Sequence, residues 1–221
     1  MVANVPEAGT APFADRRAAG RLLAERLWRE LPLDDPVVLA LPRGGVPVAR
    51  EVADLLSAPL DVLVTRKIGY PFQPELGVGA IVEGAEPLYD DVLLGRLRLT
   101  RLDLGRVLGR ERAELARRVA VYRGGRPPPP VAGREVILVD DGLATGVTAT
   151  AALRALRARS ARRTVLAVPV AAPASAAAVQ YEADDVVTLI TPHSFRAVGE
   201  WYGSFGQLTD ADVLALLDGT G

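Results

Sequence analysis

The chain has 221 residues, 49% of them hydrophobic and 24% charged, which suits a single globular α/β domain with a sizeable core. A formal net charge of −1 excludes a nucleic-acid binder that works by bulk positive charge. The absence of cysteine excludes disulfides and thiolate zinc sites, and the single histidine, His193, cannot build a histidine-based metal site. The opening MVANVPEAGTAPF lacks the basic head and apolar centre of a secretory signal, and no stretch of roughly 20 uncharged apolar residues follows. A soluble, cytoplasmic protein with neither a membrane nor a nucleic-acid partner is expected.

Residues 1–12 are small, proline-containing and aperiodic, and read as a loose tail; 13–221 read as one domain. Over 13–31 the apolar residues Ala18, Leu22, Leu23, Leu27 and Trp28 recur at helical spacing, with Asp15 near the start. A turn at Asp34 and Asp35 leads to a buried strand over 37–41, which ends in Pro42-Arg43-Gly44-Gly45 before a helix over 46–56. Arg43 has the forked donors to grip phosphate oxygens, and Gly44 or Gly45 would let backbone come close to a ligand. A plain tight turn with an exposed arginine is the other reading.

The next strand, 60–65, ends at Arg66 and Lys67, and Lys67 is the only lysine. The following IGYPFQPEL, 68–76, carries two prolines and a glycine and reads as too irregular for a helix or a central strand. A strand is expected at 77–82 and a short one at 87–89. Over 90–122, Leu102, Leu104, Leu108, Leu115 and Val119 predict one long amphipathic helix or a helical pair. Its arginines alternate with Asp103, Glu111 and Glu114, the pattern of a solvated face. The proline run 127–130 is a stiff connector.

The stretch 136–150, VILVDDGLATGVTAT, carries the chemistry. Four apolar residues run into Asp140 and Asp141, followed by a turn holding Gly142 and Gly146 and then an alanine-rich helix. Free N–H groups at a helix start, with the helix dipole, favour a phosphate there. Thr145 and Thr148 add hydroxyl donors. Carboxylates at a strand end can accept hydrogen bonds from sugar hydroxyls and attract magnesium. Beyond the motif come a strand at 164–170, a short helix at 175–180 and a strand at 186–190. The aromatic segment 191–206, TPHSFRAVGEWYGSFG, then leads to a helix at 210–217. Alternating strands and helices predict a parallel sheet covered on both faces.

Strand, acid pair, three residues and Thr-Gly-x-Thr resemble the phosphoribosyl-pyrophosphate (PRPP) motif of type I phosphoribosyltransferases. LPRGG, RKIGxP and the aromatic end resemble an uncharacterised bacterial group within that family. The resemblance implies a type I phosphoribosyltransferase-like, Rossmann-like α/β fold with a helical insertion at about 90–122 and a C-terminal hood over 191–221. It implies transfer of ribose 5-phosphate from PRPP to a nitrogenous base with release of pyrophosphate and with Mg2+ as cofactor. Under it, Gly142, Leu143, Ala144, Thr145, Gly146, Val147 and Thr148 hold the 5′-phosphate. Arg43, Gly44, Gly45 and Lys67 hold the pyrophosphate. Asp140 and Asp141 take the ribose hydroxyls and, indirectly, magnesium. Lys67 opens a mobile loop in which Glu75 is a candidate acid acting on the base. Phe195, Trp201 and Tyr202 either stack on the base or pack the terminal segment; His193 is not read as catalytic. Ala144 stands where transferases for 6-oxopurines carry aspartate, so the implied base is a purine of the adenine kind. A homodimer is a further possibility. A non-catalytic PRPP or nucleotide sensor, and a PRPP or nucleotide hydrolase, share the same site and stand as alternatives.

Overall fold

The computed structural model describes residues 12–219, so the tail expected over 1–12 lies outside the described residues except for Pro12. In chain order the elements are α1 (Arg16–Glu30), β1 (Pro36–Ala40), α2 (Gly45–Leu56), β2 (Leu60–Val62), β3 (Thr65–Tyr70), β4 (Gln73–Val82), β5 (Leu88–Tyr89), α3 (Asp91–Leu97), α4 (Gly105–Arg123), β6 (Glu135–Val139), α5 (Val147–Ala158), β7 (Arg163–Val170), α6 (Pro173–Val179), β8 (Asp185–Ile190) and α7 (Asp210–Leu217). Helix α1 begins where the Asp15 carboxylate accepts from the Ala18 N–H at 2.7 Å. That cap satisfies one of the donors a helix start leaves free.

Five strands form a parallel sheet in the order β2-β1-β6-β7-β8. The alternation of β-branched residues decides what each face covers. Val37, Leu39, Val136, Leu138 and Val168 pack with α5 on one side. Val38, Ala40, Ile137, Val139 and Ala167 pack with α1, α2 and α7 on the other. Both faces being apolar explains why β6 reads as an unbroken hydrophobic run.

The chain leaves β1 toward the β2 edge and later returns to β6 on the opposite side of β1, so the winding reverses between them. Open α/β sheets bind ligands at such a reversal, beyond the carboxyl ends of the strands. Strands β1 and β6 pair from Pro36 opposite Glu135 to Ala40 opposite Val139. The turns that follow them, 41–44 and 140–146, therefore emerge side by side.

Residues 68–76 correct the expectation of an irregular segment: β3 and β4 form an antiparallel ribbon around Pro71 and Phe72, extended by β5. The strand expected at 77–82 is thus antiparallel and outside the main sheet, and the one expected at 60–65 is divided between β2 and β3. The register shifts at Gly69, where an added Cβ would lie 2.5 Å from the Pro74 carbonyl oxygen. A bulge there interrupts the two-residue alternation by which a strand is recognised.

The insertion is a helical pair, α3 and α4, and it is tied to the sheet by charge. Arg66 of β3 meets Glu111 of α4 at 2.7 Å. At the far end of α4, Arg123 is 4% exposed. It donates to the Val62 carbonyl at 2.8 Å and to Asp61 at 2.9 Å, and it also bonds Glu83. Burial raises the Glu83 carboxyl above its ordinary value, and the Arg123 hydrogen bond works against that rise. Among the described residues no helix is long and apolar enough to cross a membrane.

Removing one partner of a buried ion pair leaves the other charge uncompensated. Arg123→Met should therefore lower unfolding stability by about 3–5 kcal/mol, measured by urea denaturation. A loss below about 1 kcal/mol would show that the insertion is held by its apolar contacts instead.

Candidate active site

The two turns at the winding reversal touch. A Cβ added to Gly44 would lie 2.0 Å from Oδ2 of Asp141, and one added to Gly45 would lie 2.6 Å from the Val139 carbonyl oxygen. Any other residue at 44 would push the acid aside, so glycine here is a requirement of close approach. The Asp140 Oδ1 accepts from the Asp141 N–H at 2.9 Å, which fixes one carboxylate across the other's backbone. Burial raises both carboxyls above the ordinary value. For Asp140 the neighbouring Asp141 charge adds to that rise, while for Asp141 the Arg16 guanidinium opposes it. Two carboxylates sharing a low-dielectric pocket resist full ionisation until a cation or a polyhydroxyl ligand arrives.

The expected phosphate turn follows directly. Gly146 has φ of +78° and caps α5, a conformation that residues with a Cβ rarely adopt. Leu143 serves differently from its neighbours. Its side chain is buried, its N–H donates to the Val170 carbonyl at 2.8 Å, and its carbonyl accepts from Ala172 at 2.8 Å. Its N–H is therefore not available to a phosphate, which corrects its expected role: Leu143 anchors the turn to the end of β7. Ser175 of α6 donates to the Ala144 carbonyl at 2.5 Å. Ala144 and Thr145 are exposed at the rim, with Thr148 in the first turn of α5.

Arg43 projects from the first turn toward the end of the chain. Its Nε lies 3.4 Å from Oδ1 of Asp210, and its Nη1 donates to the Leu208 carbonyl. Lys67 and Glu75 are brought to each other rather than to the acid pair. The Lys67 ammonium donates to the Glu75 carbonyl at 2.9 Å and lies 3.7 Å from its carboxylate, which is 95% exposed. The stem of Lys67 passes over Gly77, where an added Cβ would meet it at 3.0 Å. Both residues belong to the β3–β4 ribbon.

The terminal segment closes on the motif from the other side. Val198 lies against Gly142, whose added Cβ would sit 2.5 Å from it. The Tyr202 hydroxyl donates to the Asp141 carbonyl at 2.5 Å, and burial raises this phenol above its ordinary value. Tyr202 is 5% exposed, with its ring 5.4 Å from Phe13 and stacked 5.0 Å from Phe205. Those neighbours occupy its faces, so the expectation that Tyr202 stacks on a base is corrected: it braces the acid pair. Phe195 and Trp201 are half-buried beside the same cluster, and His193 is exposed.

Sequence reasoning missed Arg16. Its Nε donates to Asp141 Oδ2 at 2.8 Å, its Nη1 to the Gly206 carbonyl at 2.9 Å, and its guanidinium lies 3.7 Å over the Phe205 ring. Asp141, Arg16, Phe205 and Tyr202 thus form a closed ring of contacts. No local signal marks Arg16, because its partner is 125 positions away.

A parallel sheet with two glycine turns and an acid pair at its winding reversal is the frame of a type I phosphoribosyltransferase. The family of the phosphoribosyl transferase domain matches residues 14–202, and the chain belongs to it. A Mycobacterium tuberculosis protein from strains CDC 1551 and H37Rv, described provisionally as a phosphoribosyl transferase, is 51% identical over 210 residues, covering 93% of this chain and 46% of the relative. The chain therefore spans about half the length of these curated relatives. A uracil phosphoribosyltransferase of Lactobacillus gasseri is 49% identical over 59 residues, 27% of this chain and 28% of that protein. The crystal structure of TT1426 from Thermus thermophilus is similar at a TM-score of 0.78 and 47% identity, covering 93% of this chain and 97% of that one.

A raised carboxyl has a consequence for stability. Above the ordinary value of 3.8 the unfolded Asp140 is ionised while the folded one resists ionisation. Ionising it opposes folding, so this residue's contribution falls as pH rises through its folded value. Asp140→Asn keeps the oxygen that accepts the Asp141 N–H and removes the charge. It should melt at a higher temperature than the wild type at pH 7, with the difference vanishing toward pH 3.8. A lower melting temperature at pH 7 would contradict the electrostatic reading.

Proposed function

We propose that this chain transfers ribose 5-phosphate from PRPP to a nitrogenous base, releasing pyrophosphate. The observation that carries the reading is the abutment of Gly44 and Gly45 on Asp141 and Asp140 at the winding reversal, directly before a glycine-capped helix. Three subsites in a row result: a turn for pyrophosphate, acids for ribose and a helix start for the 5′-phosphate.

In the reaction the bond from C1 of the ribose to the pyrophosphate oxygen breaks, and its electron pair leaves with pyrophosphate. A ring nitrogen of the base supplies the pair for the new C1–N bond, and a base that carries a proton on that nitrogen loses it. The α5 start, with the N–H groups of 144–148 and the Thr145 and Thr148 hydroxyls, holds the phosphate end. Asp140 and Asp141 accept from the ribose hydroxyls and place negative charge beside the carbon that becomes oxocarbenium-like. Arg43 and the backbone at Gly44 and Gly45 take the leaving charge, and Lys67 joins them when the ribbon closes. Holding the three parts in line supplies most of the acceleration.

Magnesium fits this donor set in one way. Among the described residues no group of three or more acidic or histidine side chains could cage an ion, and one Asp141 oxygen already bonds Arg16. Magnesium commonly keeps waters and takes substrate phosphates with one or two carboxylates. It would enter with pyrophosphate, facing Asp140 and Asp141, and neutralise the leaving charge. For the base, Ala144 in the phosphate turn favours a purine of the adenine kind, and the half-buried Phe195 and Trp201 offer ring faces on the adjoining segment.

Pyrophosphate release from PRPP and magnesium, assayed across purines, pyrimidines and other nitrogen heterocycles, tests this. The expected result is release that requires one base, adenine or a close analogue. Release without any base would make the protein a hydrolase, and PRPP binding without turnover would make it a sensor.

A further inference from the structure

The half of the molecule outside the minimal sheet converges on one carboxylate, that of Asp210 in the first turn of α7. Its Oδ2 accepts from Nη1 of Arg117 at 2.7 Å and its Oδ1 from the Tyr122 hydroxyl at 2.5 Å, both from α4. Arg43 of the first glycine turn approaches the same Oδ1 at 3.4 Å. We propose that Asp210 is a positioning residue: it holds the Arg43 guanidinium in place beside the turn 41–45, ready for the pyrophosphate end of the substrate. This rests on the transferase reading for the role of that turn.

The surroundings favour holding over sequestration. Asp210 is itself held on several sides by Arg117, Tyr122 and the helix start. Thr209 and Asp212 form a reciprocal cap that fixes the start of α7, where a carboxylate is favoured by the helix dipole. Tyr122 is fully buried, and burial together with the Asp210 bond pushes its phenol up to about 12, so at neutral pH it stays a donor. Arg43 keeps capacity for a ligand. Of the five N–H donors of a guanidinium, one goes to the Leu208 carbonyl, while Asp210 faces Nε as an ion pair at 3.4 Å, so donors remain for phosphate oxygens.

Arg43 and Arg117 meet at Asp210, and Arg117 and Arg118 meet at Glu114, so three guanidiniums gather at this corner of the molecule. An arginine held in one rotamer loses less freedom on binding than a loose one. The same geometry gives the insertion a role, since α4, through Arg117 and Tyr122, sets the position of a group in the first glycine turn.

The test is a binding cycle by calorimetry with inorganic pyrophosphate, PRPP and ribose 5-phosphate, each with magnesium. It compares the wild-type chain with Arg43→Met, Asp210→Asn and the double variant. Arg43→Met and Asp210→Asn should each weaken pyrophosphate and PRPP by about tenfold, and the double variant should be no weaker than Arg43→Met alone. Ribose 5-phosphate, which lacks the pyrophosphate end, should bind all four proteins alike. A general loosening of the fold would weaken it too.

Losses that multiply in the double variant, or an Asp210→Asn variant that binds as the wild type does, would overturn the proposal. Tighter binding by Asp210→Asn would also overturn it, because Asp210 would then be withholding Arg43. If Asp210→Asn does not fold, Asp210→Glu carries the same cycle, since the longer side chain moves the carboxylate away from its place beside Arg43. Failure of the wild type to bind PRPP would defeat the transferase reading itself, an outcome distinct from any of these.

Discussion

Everything in the site depends on the pairing of β1 with β6. Their register brings Ala40 opposite Val139, so two turns from distant parts of the chain leave the sheet side by side. The turns pack with nothing between them, because Gly44 and Gly45 present bare backbone to Asp141 and Asp140. Neither turn alone makes a binding site. Together they place arginine-bearing backbone, two acids and a helix start at the winding reversal, where open α/β sheets take ligands.

That closeness has an electrostatic cost, and the rest of the molecule offsets it. Two adjacent carboxylates are buried at the sheet end, and Arg16 of α1 supplies the nearest positive charge, at 2.8 Å from Asp141. The terminal segment locks this pair through Phe205, Tyr202 and the Gly206 carbonyl. On the other flank Asp210 of α7 meets Arg43. The segment 191–217 is thus more than a cover: it touches both glycine turns, through Tyr202 on Asp141 and through Leu208 and Asp210 on Arg43. The acid pair is where buried charge costs the fold stability.

The main sheet is clearly legible in the sequence, because β1, β6 and β7 are continuous apolar runs and each is followed by a punctuating turn or helix. The acid pair and Thr145-Gly146-Val147-Thr148 are legible for the same reason: the motif is local. The ribbon is not, since Pro71, Pro74 and the bulge at Gly69 break its alternation. Leu143 reads in sequence as part of a phosphate loop, yet its apolar side chain turns the residue into an anchor under β7. Tyr202 reads as a base contact because aromatic residues stack, and only the neighbouring rings of Phe13 and Phe205 show that its faces are occupied. Arg16 and Asp210 leave no trace in the sequence, for each acts on a partner 88 or more positions away and no spacing rule links them.

Asp140 and Asp141, as the groups that hold the ribose of PRPP, are the assignment on which every other role in the site rests. Calorimetric titration of PRPP with magnesium into the wild-type chain and into the Asp140→Asn, Asp141→Asn double variant tests that directly. Saturable binding by the wild type, abolished in a variant that still folds cooperatively, is the predicted result. Undiminished binding by the double variant would contradict the assignment of the site.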